Sequence, residues 1–188
     1  MHHHQLGRLA LMLLFAVLSF ALAQASVQDD LRFEVAEIPG AFAFFGPTGD
    51  DGMPLHGATF ITQGYIYPAG TLNGEHGALP DGSPTYPDAV IGKWTCRGWV
   101  IGEGFTGGDE PAAISTQVFV LDEEHGGDTL VTEGYEVMAL GVPFTRAITS
   151  GTGRFAGLVG EVRQELVSMN DDMMVGYAFD VLGKATTP

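Results

Sequence analysis

One stretch constrains the fold more than any other part of the chain: Ala147-Ile148-Thr149-Ser150-Gly151-Thr152-Gly153-Arg154-Phe155-Ala156-Gly157-Leu158-Val159-Gly160-Glu161-Val162. It predicts a strand, a Ser-Gly-Thr-Gly turn, one tight helical turn, and a second strand. Gly151 and Gly153 admit backbone angles that a residue with a Cβ resists. Gly157 and Gly160 let the chain leave the turn and pass close to a neighbouring strand.

The rest of the chain agrees with a sheet protein. Glycine takes 27 and proline 10 of the 188 positions, and strand-like runs lie between them. That pattern predicts an all-β barrel or sandwich. Strands are expected over 31–38, 59–67, 91–105, 114–121, 129–137, 142–149, 158–169 and 173–182. The segment 40–57 reads as loop, and 68–87 as a long Gly/Pro-rich connection of the kind that is functional or mobile. Helix is limited to one turn near 154–158.

The N-terminus resembles a secretory leader. Arg8 precedes an apolar run from Leu9 to Ala23, and Ala21-Leu22-Ala23 and Ala23-Gln24-Ala25 both suit signal peptidase. That run is shorter than the roughly 20 residues a spanning helix needs. The expected layout is a leader over 1–23, an N-terminal strand and loop-rich segment over 24–57, and a barrel body over 58–188, with the barrel as a whole spanning about 31–183. The expected location is secreted or periplasmic, with no membrane attachment after cleavage. A net charge of −15 argues against nucleic acid and anionic membranes as partners. The single cysteine, Cys96, allows no internal disulfide, so core and sheet must hold the fold.

The 147–162 run resembles the "ITGGTG-x-F-x-G-x-x-G-x-V" signature of the allene oxide cyclase and dirigent protein barrels, with Gly151, Gly153, Phe155, Gly157 and Gly160 on its fixed positions. The hairpin containing Gln117-Val118-Phe119-Val120-Leu121 and Asp128-Thr129-Leu130 is similar to the hairpin that precedes the signature in that family. Met174 to Val181 is similar to its closing strand. The resemblance implies a single eight-stranded antiparallel β-barrel that holds or cyclises small hydrophobic molecules, with no cofactor. Trimers are common in such families, so a homotrimer is expected. Apolar residues on both faces of the 94–101 strand also call for cover outside the barrel.

The resemblance also implies site residues. Trp94-Thr95-Cys96 falls where plant allene oxide cyclases carry a pocket-facing cysteine. Those enzymes have a Glu and an Asn two residues apart on the N-terminal strand; Glu34 matches the Glu, and Ala36 stands in place of the Asn. Ala36 can neither donate nor accept a hydrogen bond, so the plant reaction itself is not expected. Glu34 and Cys96 are the candidate catalytic groups, and Gln63, Tyr65, Trp94 and Tyr135 the candidate ligand-binding groups. The leading function is binding of a small hydrophobic molecule. The alternatives are a cofactor-independent cyclase or isomerase, and a dirigent-like stereochemical guide.

Other chemistry finds little support in the sequence. Gly151-x-Gly153 lies in no parallel βαβ unit. Ser150 lacks the nucleophile-elbow context. His56, His76 and His125 sit in three separate loops without the short spacing of a zinc site, so no metal is expected. Glu161, Arg163 and Glu165 alternate on one strand and read as a charged outer face.

Overall fold

Hydrogen-bonded strands dominate the computed structural model, which describes residues 31–104, 111–121, 127–170 and 175–185. The expected leader and His125 lie outside the described residues. Among the described residues nine strands follow one another: β1 Arg32–Glu37, β2 Ala43–Phe45, β3 Thr59–Pro68, β4 Gly92–Val100, β5 Pro111–Leu121, β6 Asp128–Val137, β7 Pro143–Gly151, β8 Leu158–Met169 and β9 Val175–Ala185. The sheet runs β1-β9-β8-β7-β6-β5-β4-β3, and β3 returns to β1, so eight antiparallel strands close a barrel. Closure gives each of the eight barrel strands a neighbour on both sides. Helix among the described residues is limited to single 3₁₀ turns at Pro87–Ala89 and Gly153–Phe155.

The short strand β2 is not legible in the sequence. It pairs with Thr59–Ile61 of β3, whereas β1 pairs with Gly64–Pro68 of the same strand. The two therefore lie end to end along one edge of β3. A hydrogen bond from the Ile38 N–H to the Gln63 carbonyl, 2.9 Å, joins the break. This places Phe42 and Phe44 against one end of the barrel core.

Alternation along each strand sends one set of side chains inward. At the end where β1 and β9 pair with their neighbours near Phe33 and Phe179, the interior is filled. Phe33, Phe119 and Phe179 form a triangle with ring centroids 5.0 to 5.2 Å apart. Leu121, Leu130, Phe155 and Leu158 pack the same core. The other end, where β1, β4 and β6 finish and β3 and β9 begin, carries the polar and cavity-lining residues described below.

The connection after β3 folds back onto the outside of the barrel. Leu72, Ala78 and Tyr86 pack there with Ala36, Tyr65 and Tyr67 in a second apolar cluster. The Tyr67 hydroxyl donates to the Gly77 carbonyl at 2.6 Å, and the Tyr65 hydroxyl to the Gly82 carbonyl at 2.8 Å. Cover on this side of the barrel thus comes from the chain itself. Trp99, Ile114 and Tyr135, direct cross-strand neighbours on the outer face, are 58%, 44% and 54% exposed.

The glycine-rich turn is pinned by Asp128. Its carboxylate accepts the Arg154 backbone N–H at 3.0 Å and lies 3.2 Å from the Arg154 guanidinium. Gly153 sits at φ +57°, so the turn needs the left-handed region there. Gly151 differs from expectation. Its φ is not positive; a Cβ would instead lie 2.5 Å from the Phe155 carbonyl oxygen, so it is glycine for close approach.

Candidate functional site

A cavity of about 300 Å³ occupies the less filled end of the barrel. Phe42, Phe44, Met53, Pro54 and Phe60 supply apolar wall from β2, the loops on either side of it and β3. Met138 and Val175 add to it, and Trp94, Cys96 and Tyr177 line it from β4 and β9. The polar groups on its surface include Thr62, Glu37 and Glu136. A mostly apolar cavity with a few placed polar groups is the usual form of a small-molecule site.

Glu37 is the last residue of β1 and is 3% exposed. Phe33, Val35 and Glu37 share the inward face of β1 by alternation. The Thr62 hydroxyl donates to Glu37 Oε1 at 2.5 Å, and the Val175 N–H to Oε2 at 3.1 Å. Burial pushes this carboxyl above its ordinary value, outweighing the opposite pull of those two donors. A carboxyl raised above its ordinary value keeps its proton to higher pH than a solvated one, the direction that suits a proton donor.

Glu136 lines the cavity and anchors a buried polar layer beside it. Its Oε1 accepts hydrogen bonds from Ser115 at 2.5 Å, Gln117 at 2.7 Å and Arg146 at 2.9 Å. Gln164 donates to its Oε2 at 3.0 Å. Arg146 also donates to the Thr132 hydroxyl and to the Tyr135 and Ser115 carbonyls. Such a layer is tolerable inside a protein only because nearly every donor and acceptor is used.

Cys96 lies beside Glu136, and Tyr177 feels both carboxyls. The Cys96 thiol lies 3.7 Å from Glu136 Oε1; burial first, and the Glu136 charge second, push its pKa well up. Burial, with the charges of Glu136 and Glu37, likewise holds the Tyr177 phenol well above its ordinary value. Both groups are therefore neutral donors at neutral pH. Neither is an anionic nucleophile.

The structure brings together only part of the expected site. Trp94 and Cys96 line the cavity. Glu34 does not: it points outward, and its Oε2 accepts the Leu72 N–H at 2.7 Å in the covering loop. Gln63 is exposed on the outer face of β3. Tyr65 lies outside the barrel under the covering loop, with Lys93 Nζ 3.8 Å from its ring centroid. Tyr135 is also outside. The physical reason is the same for all four: strand parity puts Phe33, Val35 and Glu37 inside on β1, Phe60 and Thr62 inside on β3, and Thr132 and Glu136 inside on β6. The groups not foreseen are Glu37, Thr62, Glu136, Arg146 and Tyr177. The apolar alternation of Phe33 and Val35 carried the signal for Glu37. Among the described residues, no group of three or more His, Cys, Asp or Glu side chains is placed to hold a metal ion.

No protein-family profile and no curated protein matches the chain. Solved structures do. A pterocarpan synthase dirigent protein superposes with a TM-score of 0.58 at 17% identity, covering 87% of this chain and 98% of its own. A second pterocarpan synthase dirigent protein gives 0.56 at 16% identity, covering 84% and 88%. A pyocyanin demethylase gives 0.50 at 18% identity, covering 80% and 97%. With eight closed antiparallel strands and these superpositions together, the chain has the fold of the dirigent-type β-barrels.

Proposed function

We propose that this barrel binds a small hydrophobic molecule in the cavity bounded by Glu37, Trp94, Cys96 and Tyr177. The observation that carries the reading is the cavity itself: its wall is largely aromatic and aliphatic, and the residues around it come from six strands and from loops next to them. The similar structures are named for a synthase, for dirigent proteins and for a demethylase, which accords with a barrel that handles small organic molecules.

A second reading is a cofactor-independent cyclase or isomerase, and Glu37 favours it. A buried carboxyl with raised pKa, hydrogen-bonded to Thr62 and open to an apolar cavity, is suited to move a proton to or from a bound substrate. Glu37 takes the acid–base role first given to Glu34. A dirigent-like guide would use the same cavity for orientation alone, without proton transfer at Glu37. We also read the chain as secreted on the strength of its N-terminal run, and as self-associating through the outer row Trp99, Ile114 and Tyr135.

The test is extraction and mass spectrometry of compounds that co-purify with the protein from its native source, alongside a variant with Phe60→Trp and Cys96→Leu that fills the cavity. A small apolar compound recovered with the wild type and lost from the folded variant is expected. Equal recovery from both would overturn the cavity reading. Turnover of the recovered compound by wild type and not by Glu37→Gln would favour the enzyme over the guide.

A further inference from the structure

Each carboxylate oxygen of the cavity already accepts at least one hydrogen bond, whereas two of the donors there meet no strong acceptor. Glu136 receives Ser115, Gln117, Arg146 and Gln164, and Glu37 receives Thr62 and the Val175 N–H. The indole Nε1–H of Trp94, in contrast, is buried and has no partner among the described residues. Among the described residues the Tyr177 hydroxyl donates to the Met138 thioether, at 3.7 Å, a weak acceptor. The two rings are neighbours, with centroids 6.0 Å apart. A buried N–H without an acceptor is costly, and in a native structure it asks for an explanation.

Gly64 fixes how the indole lies. It stands opposite Trp94 on β3, and a Cβ there would come 2.9 Å from Trp94 Cε3. The Cε3 edge of the ring therefore rests on β3. The opposite edge, which carries Nε1, is turned away from that strand.

We propose that the cavity recognises its ligand by a carbonyl-type acceptor oxygen, held between the Trp94 Nε1–H and the Tyr177 hydroxyl. The ligand class is an apolar, unsaturated ketone, aldehyde or quinone. This rests on the reading that the cavity binds small apolar molecules, and it adds the chemical group by which they are held.

The test compares two probes of nearly equal shape, 2-acetylnaphthalene and 2-isopropenylnaphthalene, which differ in a carbonyl against a methylene. Calorimetric titration of the wild-type protein should show the ketone binding about tenfold more tightly, the worth of one to two neutral hydrogen bonds. The infrared carbonyl stretch of the bound ketone should move to lower wavenumber than in alkane solvent. Tyr177→Phe and Trp94→Phe should each weaken the ketone more than the alkene, so that the ratio of the two affinities falls several-fold. Equal affinity for both probes, or an unshifted carbonyl stretch, overturns the inference while the apolar cavity stands. Failure of both probes to bind overturns the cavity reading as well. The infrared measurement needs no variant, so the inference stays open to refutation even if either variant fails to fold.

Discussion

Arg146 Nη1 lies 2.9 Å from Glu136 Oε1, and both side chains are shut off from solvent, at 0% and 4% exposure. Two charges so placed stabilise the fold only as a pair, because each alone would be a desolvated ion. Glu136→Gln should therefore cost about 3–5 kcal/mol, the range for breaking a buried pair on one side. The double variant Glu136→Gln, Arg146→Met should recover part of that loss. Urea denaturation of the three proteins measures it. A double variant no more stable than Glu136→Gln alone would show that the arginine's charge is not what the substitution exposes.

Glu37 should make the protein lose stability as pH rises. Its folded pKa lies above the ordinary value of 4.5, so the folded state holds the proton more tightly than the unfolded chain. The stabilisation is complete below 4.5 and is lost as pH climbs through the raised folded value. Glu37→Gln carries no such proton. The stability difference, Gln variant minus wild type, should grow from pH 4.5 upward and then level off. A difference that is flat across this range would remove the raised pKa, and with it the case for Glu37 as a proton carrier.

The arrangement of the strands was largely legible in the sequence, and the inward face was not. Eight of the strands fall close to their expected ranges, because β-branched and aromatic runs separated by glycine and proline give a clear period. Only β2 was lost, since three residues carry no period. The face of β3 was obscured for a physical reason. Gly64 puts no side chain inside, while Tyr65 and Tyr67 are buried outside beneath the 68–90 connection, so both faces look apolar. On β1 the alternation of Phe33 and Val35 pointed to Glu37, but the likeness to another family's Glu drew attention to Glu34. The partners of Glu136 come from β4, β5, β7 and β8, and no local pattern reveals such a meeting.

Cys96 should resist modification in the folded protein. It is 3% exposed, and burial beside Glu136 pushes its thiol pKa well up, so little thiolate forms near neutral pH. A bulky, charged disulfide reagent should label it only on denaturation. Fast labelling of the native protein at pH 7 would contradict both the burial and the neutral thiol, and would return Cys96 to the list of reactive groups.

Gly151 and Gly153 should both resist substitution, for different reasons that a pair of variants can separate. At Gly153 an alanine must adopt φ +57°, and its Cβ would collide with the Asp128 carboxylate and the Gly127 carbonyl. The left-handed angle alone costs about 1–2 kcal/mol. The collision also displaces Asp128, which holds the Arg154 N–H and guanidinium. At Gly151 the angle is ordinary, but a Cβ would lie 2.6 Å from Phe155 Cβ and 2.5 Å from its carbonyl oxygen. Phe155 is 1% exposed and belongs to the core, so it has little room to retreat. Gly153→Asn should be milder than Gly153→Ala, because asparagine tolerates the left-handed region better. Gly151→Asn should be no milder than Gly151→Ala, because at that site any Cβ meets the same obstacle. Thermal unfolding of the four variants measures the two rankings. An asparagine as harmful as alanine at Gly153 would show that crowding against Asp128 and Gly127, and not the backbone angle, sets the cost there.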